Sequence, residues 1–121
     1  MNRPFIMIVE DDVELGDIIS TVLQGSGLST ETVRDGGLAF DRISATEPDV
    51  ILLDMHLPNV SGSDILDSIR ATPRLSRTRV VITTADALLG RANEDKADLV
   101  LIKPITLDQI LGLTTRLARL S

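Results

Sequence analysis

Four short apolar runs in this chain each end on a residue able to do chemistry. Phe5-Ile6-Met7-Ile8-Val9 runs into Glu10-Asp11-Asp12, and Val50-Ile51-Leu52-Leu53 runs into Asp54. Val80-Val81-Ile82-Thr83 ends on Thr84-Ala85, and Leu99-Val100-Leu101-Ile102 ends on Lys103-Pro104. Runs of this kind read as strands. In an open parallel sheet, ligands bind beyond the carboxyl ends of the strands, so Glu10, Asp11, Asp54, Thr84 and Lys103 converge on one edge. Carboxylates packed together repel, and a divalent cation relieves the repulsion. Mg²⁺ takes a few carboxylates and commonly phosphate oxygens as well. Lys103 can pair with a carboxylate or a phosphoryl oxygen, and Thr84 offers a hydroxyl donor. These parts suit phosphoryl transfer, in which positioning and charge neutralisation do most of the work. The nucleophile would be a carboxylate and the product an acyl phosphate.

The elements that must position these residues alternate along the chain. Leu15, Ile18, Ile19, Val22 and Leu23 recur at helical spacing, and Gly25 and Gly27 end that helix. Residues 29–33 are rich in β-branched residues and read as a strand. Residues 37–45 and 61–71 read as helices. Residues 86–93 read as a short fourth helix containing Gly90, and residues 106–120 as a last helix, with Thr106 and Gln109 at capping-box spacing. Strands alternating with helices predict a parallel sheet covered on both faces, joined by right-handed crossovers. The reading is one α/β domain over residues 1–121, with five strands and five helices and no internal linker or repeat.

The ordered set of segments resembles the CheY-like receiver domains of two-component systems over essentially the whole chain. The matching pieces are Ile8-Val9-Glu10-Asp11-Asp12, Asp49 to Asp54, Leu57-Pro58 with Gly62, Thr84-Ala85 and Lys103-Pro104. The resemblance implies a flavodoxin-like, doubly wound fold with strand order 2-1-3-4-5. It implies Asp54 as phosphoacceptor, with Glu10, Asp11, Asp54 and the His56 backbone carbonyl holding Mg²⁺. It implies Thr84 as the switch hydroxyl, Lys103 as the cation paired with the phosphoryl group, and a cis Lys103-Pro104 bond. His56 and Asp86 occupy the places that tune hydrolysis of the acyl phosphate. The implied function is signal relay. Phosphate comes from a sensor histidine kinase or phosphotransfer protein, passes a signal to an effector, and leaves by self-catalysed hydrolysis. Such a chain catalyses only its own modification and is not classed as an enzyme.

Two departures concern the output side. Residues 85–102 make a short segment between Thr84 and Lys103, and the shortening falls in the fourth helix. Position 100, where the family commonly carries an aromatic, is valine.

Composition bounds the rest. Apolar residues make up 43% of the chain and charged residues 25%, which argues for a packed domain rather than disorder. There is no cysteine, which excludes disulfides and thiolate metal sites. A net charge of −6 with only Phe5 and Phe40 as aromatics argues against direct nucleic-acid binding. No apolar run is long enough to span a bilayer, and a cytoplasmic location is expected. The leucines of the last helix are read as mostly core, with Leu113 and Leu120 exposed as a candidate homodimer or partner surface. Arg70, Arg74, Arg77 and Arg79 are read as solvated. Asp12 is read as a helix N-cap. Two rivals stay open. One is a degenerate receiver acting as a phosphorylation-independent interaction module. The other is a haloacid-dehalogenase-like phosphatase, which would need an acid where His56 stands and more chain for a cap domain.

Overall fold

The computed structural model describes residues 3–120, with the Leu120 side chain outside the described set. Five strands, β1 (Phe5–Val9), β2 (Ser29–Val33), β3 (Val50–Asp54), β4 (Arg79–Thr84) and β5 (Leu99–Ile102), form one sheet in the order 2-1-3-4-5. Every neighbouring pair is parallel. Five helices connect them: α1 (Val13–Gly25), α2 (Gly36–Ala45), α3 (Gly62–Arg70), α4 (Ala87–Ala92) and α5 (Leu107–Leu120). Two 3₁₀ turns, Pro73–Leu75 and Glu94–Lys96, were not expected from the sequence.

Strand parity builds two cores. Met7, Val9, Ile51, Leu53, Val80 and Ile82 face α2 and α3, packing on Ile43, Ile65, Leu66 and Ile69. Ile6, Ile8, Val50, Leu52 and Val81 face α1 and α5, packing on Ile19, Leu23 and Ile110. A fully buried Ile or Leu side chain of this kind stabilises the fold by about 1.5–3 kcal/mol.

Local chemistry starts each helix. Asp12, Asp35, Ser61 and Asp86 accept from the backbone N–H three residues on and cap α1, α2, α3 and α4. At α5 the Thr106 hydroxyl accepts from Gln109 N–H at 3.1 Å, and the Gln109 side chain accepts from Thr106 N–H at 3.0 Å, the expected capping box. Gly27 has φ +89°, which lets the chain turn out of α1 toward β2. The Lys103-Pro104 peptide is cis, as the resemblance implied.

Two expectations hold only in part. The most buried face of α5 is Ile110, Thr114 and Ala118, one turn apart; Leu111 and Leu117 pack against the core as expected, while Leu107 is exposed and Leu113 half-buried. Leu120 lies outside the described side chains. Arg70, Arg74 and Arg77 are exposed, as expected, and Arg79 is half-buried, but three of the four also hold partners. Arg70 donates to the Lys96 and Thr78 carbonyls and pairs with Asp98 at 3.0 Å. Arg79 pairs with the same Asp98 at 3.3 Å. Arg74 donates to the carbonyls of Ile43, Ser44 and Thr46, closing the end of α2. Arg77 is exposed.

Candidate functional site

Glu10, Asp54 and Lys103 follow from strand parity. Asp54 closes β3 in register with Thr83 of β4, and both share the sheet face of Val50 and Leu52 that α1 and α5 cover. Glu10 follows Val9, which pairs with Leu53, so it falls beside Asp54 on that face. Lys103 follows Ile102, the partner of Thr84.

The charges then meet. Lys103 Nζ lies 3.0 Å from Glu10 Oε1 and 3.2 Å from Asp54 Oδ2. Both acids are nearly inaccessible, Glu10 at 3% and Asp54 at 5% exposure. Asp11 is exposed, and one carboxylate oxygen from each of Glu10, Asp11 and Asp54 lies within 4.8 Å of the others. His56 N–H donates to Asp54 Oδ1 at 3.1 Å, and Asp12 N–H donates to Glu10 Oε2 at 3.3 Å. A cleft of about 220 Å³ opens beside Lys103, floored by Ile19, Ile110 and Thr83.

Electrostatics reflect this crowding. Burial, then the neighbouring Asp54 carboxyl, pushes Glu10 up to about 7, against the opposing pull of Lys103. For Lys103, burial works against the charge, but Glu10 and Asp54 outweigh it and hold the ammonium above its ordinary value. Two buried acids beside a third, offering oxygen donors alone, fit a small hard cation such as Mg²⁺. The His56 ring is exposed.

Thr84 is placed differently from the rest. It is fully buried on the opposite sheet face, and its Oγ1 accepts from Asp86 N–H at 3.0 Å. Asp86 Oδ1 in turn accepts from Leu89 N–H at 3.0 Å, capping α4. Both His56 and Asp86 are exposed, and among the described residues no hydrogen bond or ion pair joins their side chains. Thr83, the register partner of Asp54, lines the cleft with Glu10 and Lys103 and was passed over in the sequence. The alternation of strand side chains was the signal that could have marked it.

Known proteins resemble this chain in sequence and in fold. The response regulator receiver domain family matches residues 6–115. The DNA-binding response regulator MtrA of Mycolicibacterium paratuberculosis is 35% identical over 107 residues, covering 84% of this chain and 45% of MtrA. The response regulator protein PmrA of Pseudomonas aeruginosa is 34% identical over 116 residues, covering 94% of this chain and 52% of PmrA. The chain thus spans about half the length of the curated relatives it matches. Among solved structures, the chemotaxis response regulator CheY4 of Vibrio cholerae superposes with TM-score 0.88 at 22% identity, over 96% of this chain and 99% of that one. TrrA of Thermotoga maritima, solved in complex with Mg²⁺-BeF, gives 0.84 at 21%, over 94% and 98%. At these identities the structural likeness is one of fold. The family match and the two relatives carry the assignment, and by them this chain belongs to the response regulator receiver domains of two-component signalling.

Proposed function

We propose that the chain is a Mg²⁺-dependent phosphoacceptor switch that receives its phosphoryl group on Asp54. The observation that carries this reading is the Lys103 ammonium held between Glu10 and Asp54, with Asp11 completing the acidic cluster. An Asp54 oxygen attacks the phosphorus of a phosphohistidine on a sensor kinase or phosphotransfer protein. A P–O bond forms, the P–N bond breaks with its electron pair going to nitrogen, and the imidazole leaves neutral, keeping the proton already on its other ring nitrogen. Mg²⁺ held by Glu10, Asp11, Asp54 and the His56 carbonyl would neutralise charge on the phosphoryl oxygens. Lys103 is already within ion-pair distance of Asp54 and takes a phosphoryl oxygen as its new partner. The Thr84 hydroxyl releases the Asp86 amide and turns to donate to another. Water later attacks the phosphorus, the P–O bond to Asp54 breaks, the carboxylate is restored, and inorganic phosphate leaves with the water's protons shared between it and solvent. His56 and Asp86, both exposed, tune that step. The chain turns over no separate substrate, so its role is that of a cytoplasmic relay rather than an enzyme. The effector is a partner or a further segment, as in relatives named DNA-binding response regulators that are about twice as long.

Intact mass after incubation with Mg²⁺ and acetyl phosphate tests the proposal. The wild type gains one labile phosphoryl group and Asp54→Ala gains none. No gain on the wild type, with kinase donors also tried, overturns the reading in favour of a phosphorylation-independent interaction module.

A further inference from the structure

The loop between β3 and α3 carries His56 away from Asp54 and is held at three places. At its far end Gly62 N–H donates to the Met55 carbonyl at 3.2 Å, and a Cβ on Gly62 would lie 2.5 Å from Met55 Cα. At its middle Gly36 N–H donates to the Pro58 carbonyl at 3.0 Å, and a Cβ on Gly36 would lie 2.1 Å from the Val60 oxygen. The third hold is made by side chains. Asn59 sits at φ +73°, a conformation asparagine tolerates, and its amide donates to Asp35 Oδ2. The other Asp35 oxygen, Oδ1, accepts from Leu38 N–H at 3.0 Å at the start of α2. One carboxylate therefore ties the loop to the N-terminus of a helix on the neighbouring connection. Between the fixed points, His56 N–H holds Asp54 Oδ1.

We infer that Asp35 and Asn59 form a latch that positions residue 56 against Asp54, making Asn59 a positioning residue for cation and phosphoryl binding. The inference rests on the reading of Asp54 as phosphoacceptor and deepens it. A loop fixed at both ends and at its middle samples few conformations. Its amide and carbonyl at residue 56 then stay where the site needs them, without ordering on binding. Without the side-chain latch the Gly36–Pro58 bond holds the middle alone, so part of that freedom returns and the His56 amide spends longer off Asp54.

Two variants separate positioning from stability. Asn59→Gly keeps the left-handed backbone and the net charge but deletes the amide. The double exchange Asp35→Asn with Asn59→Asp moves the carboxylate across the latch, keeps the charge, and leaves an asparagine able to cap α2. Both are read by hydrogen exchange of the His56 amide in metal-free protein and by calorimetric Mg²⁺ affinity. Asn59→Gly is expected to speed His56 exchange by about tenfold relative to the Ile82 amide. It is expected to weaken Mg²⁺ binding roughly three- to tenfold. The double exchange restores both to within about twofold of wild type. Unchanged exchange and affinity in Asn59→Gly overturn the inference, and so does a double exchange that leaves them at the Asn59→Gly values. Neither readout uses phosphorylation. A wild type that binds no Mg²⁺ overturns the functional reading, while His56 exchange still tests the latch.

Discussion

Burial disfavours the charged form of Glu10, and the Asp54 carboxyl disfavours it further, so its pKa stands at about 7 instead of 4.5. A carboxyl whose pKa is higher in the folded than in the unfolded chain binds its proton more tightly when folded. Its contribution is fully present below about 4.5 and is lost as pH rises through about 7. In metal-free protein, Glu10→Gln removes this cost and should raise stability at about pH 8 by up to about 3 kcal/mol, with little effect at about pH 4. Urea unfolding at the two pH values checks this. Equal gains at both would show that packing, not charge, explains the change. Asp86 offers a second separation of roles at a single position. Asp86→Asn keeps an acceptor for Leu89 N–H and removes the charge, whereas Asp86→Ala loses the cap as well, at about 1 kcal/mol. If charge tunes hydrolysis, both variants change the dephosphorylation rate alike, while only Asp86→Ala lowers the melting temperature. A rate altered in Asp86→Ala alone assigns the effect to the cap.

At the scale of elements, two glycines in helices make opposite predictions. A Cβ on Gly90 of α4 would lie 2.8 Å from Val100 Cγ1 and 3.3 Å from Thr84 Cγ2, so α4 lies closely against β4 and β5. Gly112 of α5 has nothing within 4 Å. Gly112→Ala should stabilise by up to about 1 kcal/mol through helix propensity. Gly90→Ala should destabilise by about 1–3 kcal/mol through overpacking despite the same propensity gain. Thermal unfolding of the pair decides, and a stabilised Gly90→Ala would show that α4 moves away freely. The elements themselves were legible because each announces itself locally. Four of the five strands are apolar runs, and Asp12 and the Thr106–Gln109 pair are cap signals within one turn. Glu10, Asp54 and Lys103 were legible for the same reason, since each ends such a run. What was not legible depends on pairings between distant segments. Asp35 with Asn59, and Arg74 with the end of α2, are joined only by how the loops fall. The α5 face was legible only in part: Leu111 and Leu117 pack on the core, but leucine outnumbers the residues that turn furthest inward, and Thr114, 1% exposed, is polar. Thr84 was found by its neighbours Thr83 and Ala85, but its hydroxyl engages Asp86 rather than Asp54, which spacing alone does not reveal.

For the whole molecule, net charge bears on what the chain touches. With −6 overall, the 121 residues should show no measurable affinity for duplex DNA at physiological salt, even though relatives about twice as long are named DNA-binding. Retention of labelled duplex by the chain alone would contradict this. Among the described residues no helix is long and apolar enough to cross a membrane. Cation binding should couple to global stability through Glu10. Mg²⁺ ligation needs the carboxylate, so the rise in melting temperature that Mg²⁺ produces should grow between about pH 5 and pH 8. A rise independent of pH would place the cation elsewhere. The Lys103 ammonium has a further consequence for the life of the chain. It serves as a resident counter-ion for Asp54 and pulls against the burial cost at Glu10, whose own proton removes the second sequestered charge below about pH 7. Maturation then has no obligatory metallation step, unlike small zinc modules that collapse when stripped. Exhaustive treatment with a chelator should leave cooperative unfolding intact, and newly made chains can be compact and protease-resistant before any divalent ion reaches them.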